Sequence, residues 1–231
     1  MSIKWVFFDV GDVLFNEDAQ HTIYFHCLLL AMRRGGIEVE WDQYNHAINS
    51  AARVNPASAI TDAARTFVSN DECWKQIFAD GRAVYEATRK PRPYGTLQDG
   101  ITDQLRLLRE RYQLGIIANQ HPEVLEAIEG YGIGKLFDVK VIDQVVGVSK
   151  PDNAIFRLAF DQASCKPEEA IMVGDRPDND IRPAKALGMR TVRLRHGILY
   201  TAYDARDAAE TADAEITEIS RLAETVISVA R

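Results

Sequence analysis

Positive charge is scarce in this chain, and so are cysteine and long apolar runs. Lys and Arg total 27 against 34 Asp and Glu, a net charge of −7. A general nucleic-acid binder carries a basic stripe, and this balance argues against that class. The cysteines are Cys27, Cys73 and Cys165, odd in number and widely scattered. They supply neither a disulfide framework nor a CxxC knuckle, so a reduced, cytoplasmic compartment is expected. The longest apolar stretch of the first half, Cys27–Met32, falls far short of the ~20 residues of a membrane span. The opening residues reach Asp9 too soon for a signal peptide. No repeat and no low-complexity segment is visible. His21, His26 and Cys27 are spaced by five and one, which does not set them on one helix face, so helix packing rather than metal binding is expected of them.

What the chain does have is a globular composition, 46% hydrophobic and 26% charged over 231 residues. That is enough for a full core in one large domain, or in a main domain with a smaller insert. Short apolar runs recur at Trp5–Phe8, Leu114–Ala118, Val139–Ile142, Ile171–Val173 and Thr191–Leu194. Runs of this length without alternation read as strands buried on both faces. Helical patterns separate the later ones: Leu97–Tyr112, Pro122–Tyr131, Asn153–Ala163 and Pro183–Leu187. The alternation implies an α/β fold, a doubly wound parallel sheet with helices on both faces.

Residues 17–90 differ, with helical segments at Ala19–Arg34, Asp42–Val54, Ala57–Val68 and Asp71–Arg89 and one short strand-like run at Ile37–Trp41. They form a helical insert after the first strand, and Pro91–Gly95 reads as the linker back. The expected domains are residues 1–16 with 91–231 as the α/β core, and 17–90 as the insert. The tail Asp204–Arg231, rich in Ala and Glu, looks helical and solvated.

Ligands of open parallel sheets collect at the carboxyl ends of the strands. The first strand delivers Asp9, with Gly11 and Asp12 beyond it. The second delivers Asn119 and Gln120. Lys150 follows the third, and the fourth delivers Asp175 with Asp178 and Asp180. These positions fall in the segments Phe7-Phe-Asp-Val-Gly-Asp-Val-Leu14, Leu114-Gly-Ile-Ile-Ala-Asn119, Ser149-Lys-Pro-Asp152 and Val173-Gly-Asp-Arg-Pro-Asp-Asn-Asp-Ile181. In that order they resemble the motifs of the haloacid dehalogenase-like hydrolase superfamily, and the resemblance covers essentially the whole chain. The insert resembles the α-helical cap of the subfamily acting mostly on small phosphorylated metabolites.

The resemblance implies a Rossmann-like core and a Mg²⁺-dependent phosphomonoesterase. Asp9 is its nucleophile and forms an aspartyl-phosphate, a role open to carboxylates. Asp9, the carbonyl of Gly11 and Asp175 supply the protein's share of Mg²⁺ ligands, with Asp180 in support. Lys150 is a point charge for Asp9 and a phosphate oxygen, and Asn119 and Gln120 join it in binding substrate. The partner implied is a small phosphorylated molecule, with no nucleic acid and no membrane; oligomeric state is not readable. Asp178 reads as a turn residue, and Arg176 and His196 as phosphate-side candidates. Arg33, Arg34, Arg53, Arg65 and Arg82 of the insert are available to an anionic ligand.

Two positions depart from the family. Its phosphatases carry a second Asp two residues after the nucleophile, to protonate the leaving group. Here Gly11 stands there and the acid comes one step later, as Asp12. Ala118 replaces a phosphate-binding hydroxyl. A positioned general acid is typically worth ~10²–10⁴ in rate. A one-residue shift in a tight loop turns a side chain elsewhere, so loss of the acid is expected, with takeover by Asp12 as the alternative. A catalytically silent binding or regulatory protein fits both departures. So does a 2-haloacid dehalogenase, whose family members lack the second Asp, carry an Asn like Asn119 and dispense with metal. The acids at Asp9, Asp175 and Asp180 with Lys150 favour the phosphatase.

Overall fold

The computed structural model of the protein describes residues 2–89 and 94–231. Residues 91–93 of the expected linker, and residue 90 at the expected end of the insert, lie outside the described residues. The first part of the chain runs β1 (Trp5–Phe8), β2 (Phe15–Asn16), α1 (Asp18–Arg34), α2 (Trp41–Ala52), α3 (Ala59–Thr66) and α4 (Asp71–Arg89). It continues through β3 (Thr96–Leu97), α5 (Ile101–Arg109), β4 (Gln113–Ala118), α6 (Val124–Gly130), β5 (Val139–Ile142), α7 (Asp143–Val146) and α8 (Asn153–Ala163). It ends with β6 (Ala170–Gly174), α9 (Arg182–Leu187), β7 (Arg190–Leu194), β8 (Ala214–Ile216) and α10 (Leu222–Val229). Among the described residues no helix is long and apolar enough to cross a membrane.

Six strands form one parallel sheet in the order β5–β4–β1–β6–β7–β8. From β1 the chain winds outward through β4 to β5, then returns beside β1 and winds the other way through β6, β7 and β8. The reversal lies between β1 and β6, and a ligand crevice opens at such a point, beyond the strands' carboxyl ends. Side chains alternate across the sheet. Trp5 and Phe7 pack on one face with Ile155, Phe156 and Phe160 of α8 and Ala184 of α9, while Val6 and Phe8 are equally buried on the other. Helices therefore cover both faces, as purely parallel sheets require. The short strands β2 and β3 pair antiparallel with each other.

The chain divides into two compact units. One comprises Met1–Asn16, Thr96–His196 and Ala205–Arg231, and contains the sheet; the other comprises Glu17–Gly95 and Gly197–Asp204. The second is helical, with Phe25, Leu28 and Met32 of α1, Tyr44 and Ile48 of α2, and Ile60 and Ala64 of α3 in its core. Leu199, from a segment that sequence leaves with the sheet, is buried in that same core, and the Ile198 N–H donates to Asp18 Oδ1 at 2.7 Å.

Three element assignments read from sequence change. Residues 37–40 carry no regular structure, and Trp41 already belongs to α2. The helix expected over Leu97–Tyr112 is Ile101–Arg109, because Gly100 turns the chain at φ 79 and Leu97 pairs in β3. The tail is not a solvated helix. Ala214–Ile216 forms the sixth sheet strand, and α10 buries Leu222, Ala223 and Val226. A three-residue strand with Glu215 at its centre offers no apolar run to detect.

Candidate active site

The sheet places Asp9 and Asp175 directly after β1 and β6, on either side of the reversal. The Asp9 N–H donates to the Val173 carbonyl at 2.9 Å, carrying the β1–β6 ladder one residue past the strand. Lys150 arrives from the loop before α8. Asn119, at the end of β4, holds its main chain: Asn119 Oδ1 accepts from the Lys150 N–H, and Nδ2 donates to the Lys150 carbonyl, both at 2.8 Å. The Lys150 ammonium is fully buried and lies 2.7 Å from Asp9 Oδ1 and 2.6 Å from Asp180 Oδ1. Burial alone would pull its pKa down, but the carboxylates of Asp180 and Asp9 outweigh that and hold it above the usual lysine value.

Asp180 is placed by the π-helical turn Pro177–Ile181, a distortion frequent at functional sites. Its Oδ2 accepts the Arg176 N–H at 3.1 Å. Gly174 makes this approach possible, because a Cβ there would collide with the Asp180 side chain. Asp9, Asp175 and Asp180 are all buried, and each offers a carboxylate oxygen within 4.8 Å of the others. Asp175 Oδ1 is buried with no hydrogen-bond partner among the described residues. An orphaned carboxylate oxygen is costly in the interior. Three converging hard oxygen donors, one of them unsatisfied, match what Mg²⁺ takes from a protein.

The electrostatics agree. Burial, followed by the charges of Asp180, Asp9 and Asp12, lifts the Asp175 pKa well above the carboxylate range, with Lys150 opposing. Burial lifts Asp180 to about 6, against the pull of Lys150 and with the push of Asp9. An acid with a raised folded pKa holds its proton more tightly when folded. Its cost to stability therefore grows as pH rises from the unfolded value of 3.8 through about 6. A bound cation offsets that cost and requires ionised ligands, so Mg²⁺ should raise the thermal midpoint far more near pH 7 than near pH 5. His21 works the opposite way in this window, because burial lowers its pKa to about 4 against the pull of Asp18. Subtracting the midpoint in chelator from that in Mg²⁺ at each pH removes its contribution. An equal Mg²⁺ increment at both pH values would contradict the assignment.

The other expected residues are placed as follows. Asp12 is 1% exposed in a left-handed backbone at φ 50, near enough for its charge to act on Asp175. Its carbonyl accepts from Gln98 Nε2 at 3.1 Å. Gly11, in the same loop, forms an isolated bridge with Phe15. The Gln120 N–H donates to Asp143 Oδ1 at 2.8 Å. Asn119 reaches the site, where its amide bonds the main chain of Lys150. Asp178 pairs with the Arg176 guanidinium at 2.9 Å, as a turn residue would. His196 lines a separate cavity of about 410 Å³ with Thr96, Gln98 and Thr217. In the helical unit, Arg33 donates to the Val39 carbonyl at 3.1 Å, and Arg65 bonds the Val68 carbonyl and Asp71.

Sequence reasoning missed Arg193. It lies inside an apolar-looking run, yet it is 1% exposed, and its Nε donates to the Asp175 carbonyl at 3.1 Å. The signal available was a charged residue in the middle of a buried strand.

The sequence matches the family described as haloacid dehalogenase-like hydrolase over residues 3–188. It is 35% identical to the glyceraldehyde 3-phosphate phosphatase of Methanopyrus kandleri over 239 aligned residues, covering 99% of both chains. It is 41% identical over 123 residues to the protein of the same name from Pyrococcus furiosus, a match spanning 53% of this chain and 50% of that one. Its fold is similar to the crystal structure of a HAD-hydrolase from Bacillus subtilis bound to magnesium. There the TM-score is 0.69 at 18% identity, with 98% of this chain and 99% of that chain covered.

Proposed function

The chain belongs to the haloacid dehalogenase-like hydrolases, and from that membership we propose a Mg²⁺-dependent phosphomonoesterase acting on a small phosphorylated metabolite through an aspartyl-phosphate on Asp9. The observation that carries this reading is the buried cluster of Asp9, Asp175 and Asp180 around Lys150 at the reversal of the sheet. The relatives named glyceraldehyde 3-phosphate phosphatase support the substrate class.

In this reading Lys150 engages Asp9 Oδ1, so the second carboxylate oxygen attacks phosphorus. The bond from phosphorus to the leaving oxygen breaks, and water then hydrolyses the acyl phosphate to return Asp9. Asp9, the Gly11 carbonyl and Asp175 would hold Mg²⁺, with Asp180 in support, and the ion would neutralise charge on the transferring phosphoryl group. Lys150 offsets repulsion between the Asp9 carboxylate and the incoming dianion. Asn119 fixes the backbone from which Lys150 reaches, and Gln120 borders the same strand end. Main-chain N–H groups after β1 would cradle the phosphate. The retained acids speak for this chemistry over metal-free dehalogenation.

A phosphate-release screen over small phosphorylated metabolites, glyceraldehyde 3-phosphate among them, tests the proposal with Mg²⁺ and with chelator. Metal-stimulated release is expected. Metal-independent halide release from 2-haloacids would replace it with dehalogenation, and inactivity in both assays with a silent binding protein. Calorimetric titration of Mg²⁺ into Asp175→Ala and Asp178→Ala checks the ligands. Binding should collapse in the first and stay near that of the parent in the second, because Asp178 is tied to Arg176; equal weakening would contradict the assignment.

A further inference from the structure

We infer that Arg193 is a positioning residue for the metal ligand Asp175, an inference that rests on the Mg²⁺ reading above. Arg193 sits on β7 directly between Gly174 of β6 and Glu215 of β8 in the sheet register. It is 1% exposed. Its guanidinium joins two acceptors, one just past β6 and one on β8: Nε donates to the Asp175 carbonyl at 3.1 Å, and Nη1 to Glu215 Oε2 at 3.1 Å. Glu215 is anchored in turn, its Oε1 lying 3.4 Å from Arg195 Nη1.

Burying a guanidinium is expensive, and replacing a buried ion pair with a well-packed apolar group is often neutral or stabilising. Val192 and Leu194 beside it fill the strand at no such cost. What the guanidinium supplies is a rigid fork that fixes the main chain of the first residue past β6. Asp175 has left the strand ladder, and its side chain carries the unpartnered Oδ1. Held at the carbonyl, Asp175 keeps its carboxylate aimed at Asp9 and Asp180 before any cation arrives. Groups that orient metal ligands in this way typically account for ~10–100-fold in metal affinity.

The test is calorimetric titration with Mg²⁺ alone, run beside thermal melts in chelator. Arg193→Met should raise the Mg²⁺ dissociation constant roughly ten-fold or more. Arg193→Lys should recover part of the loss, because an ammonium still donates to one acceptor but cannot span both. A contribution to packing alone would shift the melt and leave the dissociation constant unchanged. A folded Arg193→Met protein binding Mg²⁺ like the parent overturns the inference. If Arg193→Met does not fold, Glu215→Gln decides. It loosens the far end of the fork from a half-exposed position, and a dissociation constant equal to the parent's would overturn the inference there too. Failure of the parent itself to bind Mg²⁺ would overturn this inference together with the metal reading; parental binding with insensitive variants overturns this one alone.

Discussion

Asp9→Asn should release no measurable phosphate from any substrate the parent hydrolyses, and should do so as a folded protein. The amide nearly matches the carboxylate in shape, but it cannot form an acyl phosphate with the phosphoryl group. The fold should survive because the pairing of Lys150 is double. Its ammonium keeps Asp180 Oδ1 at 2.6 Å, and the Asn carbonyl oxygen can accept where Asp9 Oδ1 did. The metal-free protein should change little in stability, because the Asp9 charge both pairs with Lys150 and lifts the pKa of Asp175 and Asp180, so its loss removes an attraction and a repulsion together. Phosphate release and thermal midpoint in chelator, measured on the same preparation, check both halves. Near-normal turnover by a folded Asp9→Asn protein would end the aspartyl-phosphate mechanism.

The residues this prediction needs were legible because each closes a buried run. Asp9 follows Trp5–Phe8 and Asp175 follows Ala170–Gly174, so the apolar run that marks each strand also marks the residue just past it. Roles were less legible than positions. Asn119 was found at a strand end, but its partner is the main chain of Lys150, 31 residues on, and no local pattern reports such a pairing. Arg193 was hidden by the same averaging that found β7, since one charge among Thr191, Val192 and Leu194 does not disturb the run. Leu199 was not legible for a related reason. A single apolar residue in an irregular segment has no period, and only the packed structure shows it in the helical core.

Asp12→Asn should slow simple alkyl phosphates by roughly 10²–10⁴ while changing activated aryl phosphates little. From sequence, the exchange of Gly11 and Asp12 pointed to a lost acid, on the ground that a one-residue shift turns the side chain away. Asp12 adopts a left-handed backbone at φ 50, which redirects its side chain relative to an ordinary loop residue. Its carboxyl group is buried, with its charge felt at Asp175. A proton donor has to sit within hydrogen-bond reach of the leaving oxygen, and the predicted loss of rate takes Asp12 to be that donor. Asn is the right replacement, because it tolerates the left-handed region nearly as well as Asp and removes only the acid. A series of phosphate esters of graded leaving-group acidity reads the outcome. With Asp12 as the acid, the parent's rate depends weakly on leaving-group acidity and the variant's steeply, since the variant must expel the bare anion. A parent already steep, and unchanged by Asp12→Asn, would establish that the proton donor was lost with the second aspartate.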